Sequence, residues 1–159
     1  MNRDEILAKE MQIAEAIFGT ENDPDQMPIT DESIAKLDSL CSDWLVSELD
    51  DNGEPISWAI AMPTQKHLAQ DFVNNKITER ELLDLTLPAD IYDAVYLVSV
   101  ITVPEHRGKG LGTKVVKQVL QNMPIINDAI YFAWPTSDEG MNLVKKIESE
   151  LGREIILKK

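Results

Sequence analysis

One cysteine, Cys41, stands alone in 159 residues. A disulfide framework and a cysteine-rich metal site are both excluded, and a reducing compartment fits. Cys41 follows Leu37 and Leu40 at helical spacing, which places it on an apolar face as a core residue rather than a nucleophile. Histidine is as scarce. His67 and His106 are the only two, neither stands with carboxylates at metal-ligand spacing, and no metal is expected. Basic residues are outnumbered, 15 against 28 acidic ones, and the net charge of −13 argues against nucleic-acid binding and against attraction to an anionic membrane. No apolar run is long enough to span a bilayer. The opening Met1-Asn-Arg-Asp-Glu5 lacks the basic start and apolar block of a signal peptide. The absences point to a cytoplasmic globular protein with no membrane partner. The length suits one domain over residues 1–159, without repeats or linkers.

What is present is concentrated between Val95 and Leu120. Val95–Val103 is a β-branched apolar run, the mark of a strand buried on both faces, and Pro104 stops it. Thr113–Leu120 places Val115, Val116, Val119 and Leu120 on one helical face. Between them Arg107-Gly-Lys-Gly-Leu-Gly112 carries three glycines at alternate positions, flanked by a basic cluster of Arg107, Lys109, Lys114 and Lys117. A glycine loop that opens a helix offers unpaired N–H groups and the positive end of the helix dipole, a site for phosphate or pyrophosphate. Spacing narrows the ligand. A P-loop needs Gly-Lys-Ser/Thr, whereas Gly112 is followed by Thr113-Lys114. The dinucleotide fingerprint needs G-x-G-x-x-G, and these glycines run G-x-G-x-G.

The remaining chain reads as alternating helices and strands. Asn2 caps a helix with an apolar stripe of Ile6, Leu7, Met11, Ala14, Ile17 and Phe18, stopped by Gly19. Thr20–Pro28 is loop, and Thr30 caps a second helix with Ile34, Leu37 and Leu40. Trp44–Leu49 and Glu54–Met62 form a hairpin about Asn52-Gly53, closed by Pro63. A helical excursion at about 64–88 follows, a lid or packing, with a capping box at Thr78 and Glu81. Ala129–Trp134 is a further strand, Thr136 and Glu139 open a last helix that Gly152 ends, and Arg153–Leu157 is a last strand. The fold class is α/β (α+β), a mixed sheet with helices on both faces.

Val103-x-x-x-Arg107-Gly108-Lys109-Gly110-Leu111-Gly112 resembles the acetyl-CoA signature of the GNAT superfamily of N-acyltransferases: Arg or Gln, two residues, Gly, one residue, Gly or Ala. The lead-in Val103–His106 and the order of elements from Trp44 to Gly152 fit the same family. The resemblance implies that the backbone amides of Gly108, Lys109, Gly110, Leu111, Gly112 and Thr113 cradle the CoA pyrophosphate. Arg107 and Lys109 add charge, and Ile101, Thr102 and Val103 pair with the pantetheine arm. The amide of Ile101 is the implied oxyanion donor, and Trp134-Pro135 marks where two strands part to leave a slot for the cofactor. It implies an N-acetyltransferase that moves an acetyl group from acetyl-CoA to a primary amine. The alternative is a non-catalytic acyl-CoA-binding sensor or regulatory module.

The sequence departs from the family where acid and base are needed. The family's thiolate-acid tyrosine position falls on Glu148, read here as a solvated residue. The strands Val95–Val103 and Ala129–Trp134 carry no carboxylate. Tyr96 and Tyr131 read as core, and His106 as surface. An acidic surface suits a cationic acceptor such as a polyamine, an aminoglycoside or a lysine-bearing peptide. The family's last strand has no room after Leu157. A second copy of the chain could complete that sheet edge, or Lys158 and Lys159 guard it open.

Overall fold

The computed structural model describes residues 2–18, 27 and 29–159, with Ile17 and Phe18 described by backbone alone. The expected stop at Gly19 and the loop over Thr20–Pro28, Met27 aside, lie outside the described residues, as do the side chains of Ile17 and Phe18. Elements follow in the order α1 (Arg3–Phe18), α2 (Asp31–Leu40), β1 (Leu45–Leu49), β2 (Pro55–Thr64), α3 (Lys66–Val73), α4 (Glu79–Leu85), β3 (Tyr92–Thr102), α5 (Leu111–Gln121), β4 (Ile125–Ala133), α6 (Asp138–Leu151) and β5 (Ile155–Leu157). The strands form one mixed sheet in the order β1-β2-β3-β4-β5. β1, β2 and β3 are antiparallel, and β3, β4 and β5 are parallel.

Strand alternation divides the apolar residues between two cores. Ala94 and Tyr96 of β3 join Leu7, Leu37, Trp44, Met62, Phe72 and Leu82 beneath α1–α4. Val95 and Leu97 face the other way, against Val115, Val116 and Val119 of α5 and Val144 and Ile147 of α6. The fold is GNAT-like: a mixed sheet with helices on both faces. Cys41 sits half-buried between the cores, where burial lifts its thiol to about 11, far from a nucleophile's range.

Local chemistry sets the boundaries. Asn2 Oδ1 accepts the Glu5 N–H at 2.9 Å and caps α1. Thr30 caps α2, and a box of Thr78 with Glu81 caps α4. Asp50 Oδ1 accepts the N–H of Asn52 and of Glu54 (2.8 and 2.9 Å), and Gly53 takes φ of 79° to close the β1–β2 hairpin. The excursion packs rather than dangles, burying Leu68, Phe72, Leu82 and Leu83 in the first core.

Several boundaries differ from the sequence reading. β2 runs through Pro63 to Thr64 instead of stopping. The Ala61 N–H donates to Trp44 O, so alternate residues of β2 face β1, and β1 begins at Leu45 opposite Ile60. Pro63 therefore turns its missing donor to a side where no strand lies. The cap of α6 is Ser137, whose hydroxyl accepts the Gly140 N–H at 3.0 Å, rather than Thr136. β3 and β4 each begin earlier, at Tyr92 and Ile125, which brings Asp93 and Asp128 into strands expected to hold no carboxylate. Asp93 is engaged at the strand's start, accepting the Lys66 N–H at 2.7 Å.

Candidate functional site

The parallel ladder between β3 and β4 ends at Leu97 opposite Ala133. β4 stops there, and Trp134-Pro135 leads the chain away, while β3 continues to Thr102 with β2 still paired on its other side. The two strands part, and one edge of β3 is left open. Just past the last rung, Ile60 pairs with Ser99 and Ala61 with Leu97, so Val98 is an extra residue, a β-bulge.

The bulge and the alternation decide which amides the open edge presents. The Val103 N–H donates to Ile56 O at 2.9 Å, toward β2, and the carbonyl of Ile101 accepts the Ser57 hydroxyl at 3.0 Å. Two residues apart on an extended strand, Ile101 and Val103 face the same way. The Ile101 amide, expected to serve as oxyanion donor, is therefore turned into the sheet, and Val100 and Thr102 present their backbone groups to the gap. Arg107 Nε donates to the Thr102 carbonyl at 3.1 Å.

After β3 a single 3₁₀ turn, Pro104–His106, leads into the glycine loop. Gly108 and Gly110 take φ of 82° and 77°, in the left-handed region that a side chain disfavours. Gly110 is the residue from which α5 springs, its carbonyl accepting the Lys114 N–H at 3.1 Å. Beside the loop lies a cleft of about 820 Å³, a size suited to a cofactor. Eight of the ten expected binding residues line it, namely Ile101, Thr102, Arg107, Gly108, Gly110, Leu111, Gly112 and Thr113; Val103 and Lys109 do not. His106, read as surface, lines it too, with its Nδ1 3.4 Å from Lys109 Nζ.

The expected basic cluster is divided. Lys114 pairs with Glu48 at 3.0 Å and Lys117 with Glu150 at 3.8 Å. Arg107 and Lys146, the latter from α6 and not foreseen, bring positive charge to the cleft wall, with Glu139 opposite in sign.

A second, smaller cavity of about 160 Å³ lies beside the cleft, the two sharing Val100, Thr136, Ser137 and Gly140. It is largely apolar, with Leu7, Met11, Trp58, Ile60 and Trp134 among its walls, and it holds Glu10 of α1 and Glu79 of α4. Glu10 is 2 % exposed. Its Oε1 accepts the Ser47 hydroxyl at 2.5 Å, and its Oε2 has no hydrogen-bond partner among the described residues. Burial raises its carboxyl from the usual range to about 7, against the lowering effect of the Ser47 bond. Glu79 accepts the Tyr96 hydroxyl and the Met27 N–H, the latter at 2.7 Å. Tyr96 is the expected core residue, fully buried and stacked 4.9 Å from Phe132, and burial beside Glu79 holds its phenol well above the usual value.

The sequence reading missed both carboxylates because it sought them on strands. Glu10 carried a signal. It lies on the stripe of Leu7 and Ala14 at i+3 and i−4, an acid on an otherwise apolar face. Glu148 is not the solvated residue expected; its Oε2 accepts the Ile155 N–H at 2.8 Å and ties β5 to α6. Trp134, just past the end of β4, packs near Phe72 (6.1 Å) and lines the inner cavity. Tyr131 is half-buried under the Arg153 guanidinium at 4.6 Å, and His67 is exposed on α3, away from both cavities. No metal-binding cluster and no helix long and apolar enough to cross a membrane occurs among the described residues.

A family model described as an acetyltransferase (GNAT) domain matches residues 82–141. The match runs from α4 through β3, the glycine loop, α5 and β4 into α6. It supports the GNAT superfamily and, in general terms, acyl transfer. No protein of curated function matches the chain. Among solved structures, a point mutant of the BH1408 protein from Bacillus halodurans is similar at 14% identity and a TM-score of 0.44, over 96% of this chain and 87% of that one.

Proposed function

We propose that the protein transfers an acetyl group from acetyl-CoA to a primary amine by direct attack on the thioester. The observation that carries this reading is that cleft and inner cavity lie side by side, sharing Val100, Thr136, Ser137 and Gly140, where β3 and β4 part. The glycine loop and the start of α5 suit a pyrophosphate, because unpaired amides and the helix dipole converge there. Arg107 and Lys146 supply charge to the same cleft. The open edge of β3 suits an amide-bearing arm laid down as an added strand. An arm so placed delivers its thioester to the inner cavity. There the Val100 N–H, rather than that of Ile101, is the donor available to polarise the carbonyl and hold the oxyanion.

The test is a titration of acetyl-CoA followed by melting temperature. A ligand that binds only the folded state stabilises it by about 2.7 kcal/mol at a hundredfold excess over Kd. Gly110→Asp sets a carboxylate in open space beside the loop, where a pyrophosphate would repel it, and is expected to abolish the shift. An unchanged shift in that variant would remove the loop from the site. Release of free thiol with an amine then separates transfer from acyl-CoA sensing.

A further inference from the structure

We propose that Glu10 binds and deprotonates the acceptor, and that the acceptor is a small primary amine with a single charge and an apolar body. The inference rests on the acyltransferase reading above and goes on to the other substrate.

A buried carboxylate oxygen without a donor is costly, and such groups in folded proteins call for an explanation. Glu10 Oε2 is one, in the wall of a cavity that opens onto the place where the thioester would arrive. Ser47 occupies Oε1 and fixes the carboxylate, while Oε2, fully buried, stays without a donor on a residue that lines the cavity. An ammonium group supplies both the missing donor and the countercharge.

The walls define the rest of the molecule. Around Glu10 stand Leu7, Met11, Met27, Ile29 and Trp58, which suit hydrocarbon. The volume of about 160 Å³ suits a small substrate. Among the described residues a second ammonium would find no equal partner, because the other lining carboxylate, Glu79, already accepts from Tyr96 and Met27. A polyamine or aminoglycoside, the acceptors that surface charge alone suggests, would bury charges without partners.

Among the described residues, few polar groups share the cavity wall with Glu10. β1 brings Ser47, α4 brings Glu79, β2 brings Trp58 and Ile60, and β3 brings Leu97 to Val100. Lys9, its neighbour on α1, turns away to Glu54 at 2.6 Å. In the reaction the ammonium gives one proton to Glu10 Oε2. The nitrogen lone pair forms the N–C bond at the thioester carbon, and the C–S bond breaks with its electron pair on sulfur. The second nitrogen proton passes to that thiolate, leaving amide, free thiol and protonated Glu10.

The experiment measures free-thiol release with acetyl-CoA and hexylamine, 2-phenylethylamine, spermidine or kanamycin. The wild-type protein is expected to favour one of the first two by about a hundredfold in kcat/KM. With that amine, kcat/KM should climb tenfold per pH unit below about 7 and level above it. Glu10→Gln should lower kcat/KM by about 10²–10⁴ and lose that rise, while the melting shift with acetyl-CoA is unchanged. Spermidine or kanamycin as the better substrate, or a Glu10→Gln variant with wild-type kcat/KM and pH profile, would overturn the proposal. So would a protein that acetyl-CoA stabilises but that turns over none of the four amines, which leaves the donor site standing. A protein that acetyl-CoA does not stabilise would instead remove the acyl-CoA reading itself. The wild-type amine panel decides between these outcomes even if the variant folds poorly.

Discussion

Leu97 and Ala133 form the last rung of the parallel ladder between β3 and β4, and the site begins where their pairing ends. One chain direction supplies the glycine loop and α5; the other supplies Trp134, Pro135 and the cap of α6. Both cavities open along this parting. The bulge at Val98, one residue beyond the rung, decides that Val100 rather than Ile101 turns its amide to the gap.

Gly110 and Gly112 are expected to respond unequally to the same substitution. A Cβ at Gly110 meets nothing within 4 Å, yet φ of 77° makes an L side chain pay for the conformation. Gly110→Ala should cost about 1 kcal/mol of unfolding free energy. A Cβ at Gly112 would sit 3.5 Å from Thr102 Oγ1 and 3.7 Å from Val100 and Leu143, ordinary contact distances, on the side toward the sheet and α6. Gly112→Ala should fall within about 0.5 kcal/mol of wild type and keep acetyl-CoA binding, because helix propensity offsets the crowding. Urea unfolding of both variants checks the contrast, and equal losses would contradict it.

Glu148, the position that the resemblance to the GNAT superfamily would give to a thiolate acid, can be tested for a catalytic task. Its bond to the Ile155 amide is structural, so Glu148→Ala should lose about 1–3 kcal/mol as β5 loosens from α6. Glu148→Gln retains an acceptor oxygen and should recover most of that. In both variants the acetyl-CoA melting shift should persist, and kcat for an accepted amine should stay within about twofold of wild type at a temperature where the protein is folded. A large fall in kcat with stability intact would return Glu148 to the reaction.

The glycine-loop half of the candidate site was legible because its pattern is local in sequence. Strand, glycine loop and helix lie in one unbroken stretch, and alternate glycines with a following apolar helix have few other uses. The inner cavity was not, because its parts meet only in three dimensions. Glu10, Ser47 and Trp58 come from three elements, and no spacing joins them. Helical periodicity did place Glu10 on the buried face, but a reading that counts only apolar residues passes over an acid among them. The supposed cluster of four cations failed for the converse reason. Neighbours in sequence were drawn apart by Glu48 and Glu150, acids distant in the chain. The bulge at Val98 leaves no trace in a run of β-branched residues, so the register of β3, and with it the donor amide, could not be read in advance.

Glu10 also predicts how stability depends on pH. Its carboxyl is raised from 4.5 to about 7 in the folded protein, so the folded state holds a proton that the unfolded state has lost between those values. In that window the folded state binds more protons, and linkage makes stability fall as pH rises. Below about 4.5 the acid is neutral in both states and costs nothing; above about 7 the full penalty is present. Glu10→Gln removes the ionisation while keeping the shape and an acceptor for Ser47. The variant should match wild type in urea at pH 4, gain steadily through pH 6, and exceed it by about 2–3 kcal/mol at pH 8. A difference that does not change with pH would mean that Glu10 is not the group that titrates. A variant that becomes more stable as it loses turnover is what a carboxylate held unpaired for a substrate amine should give.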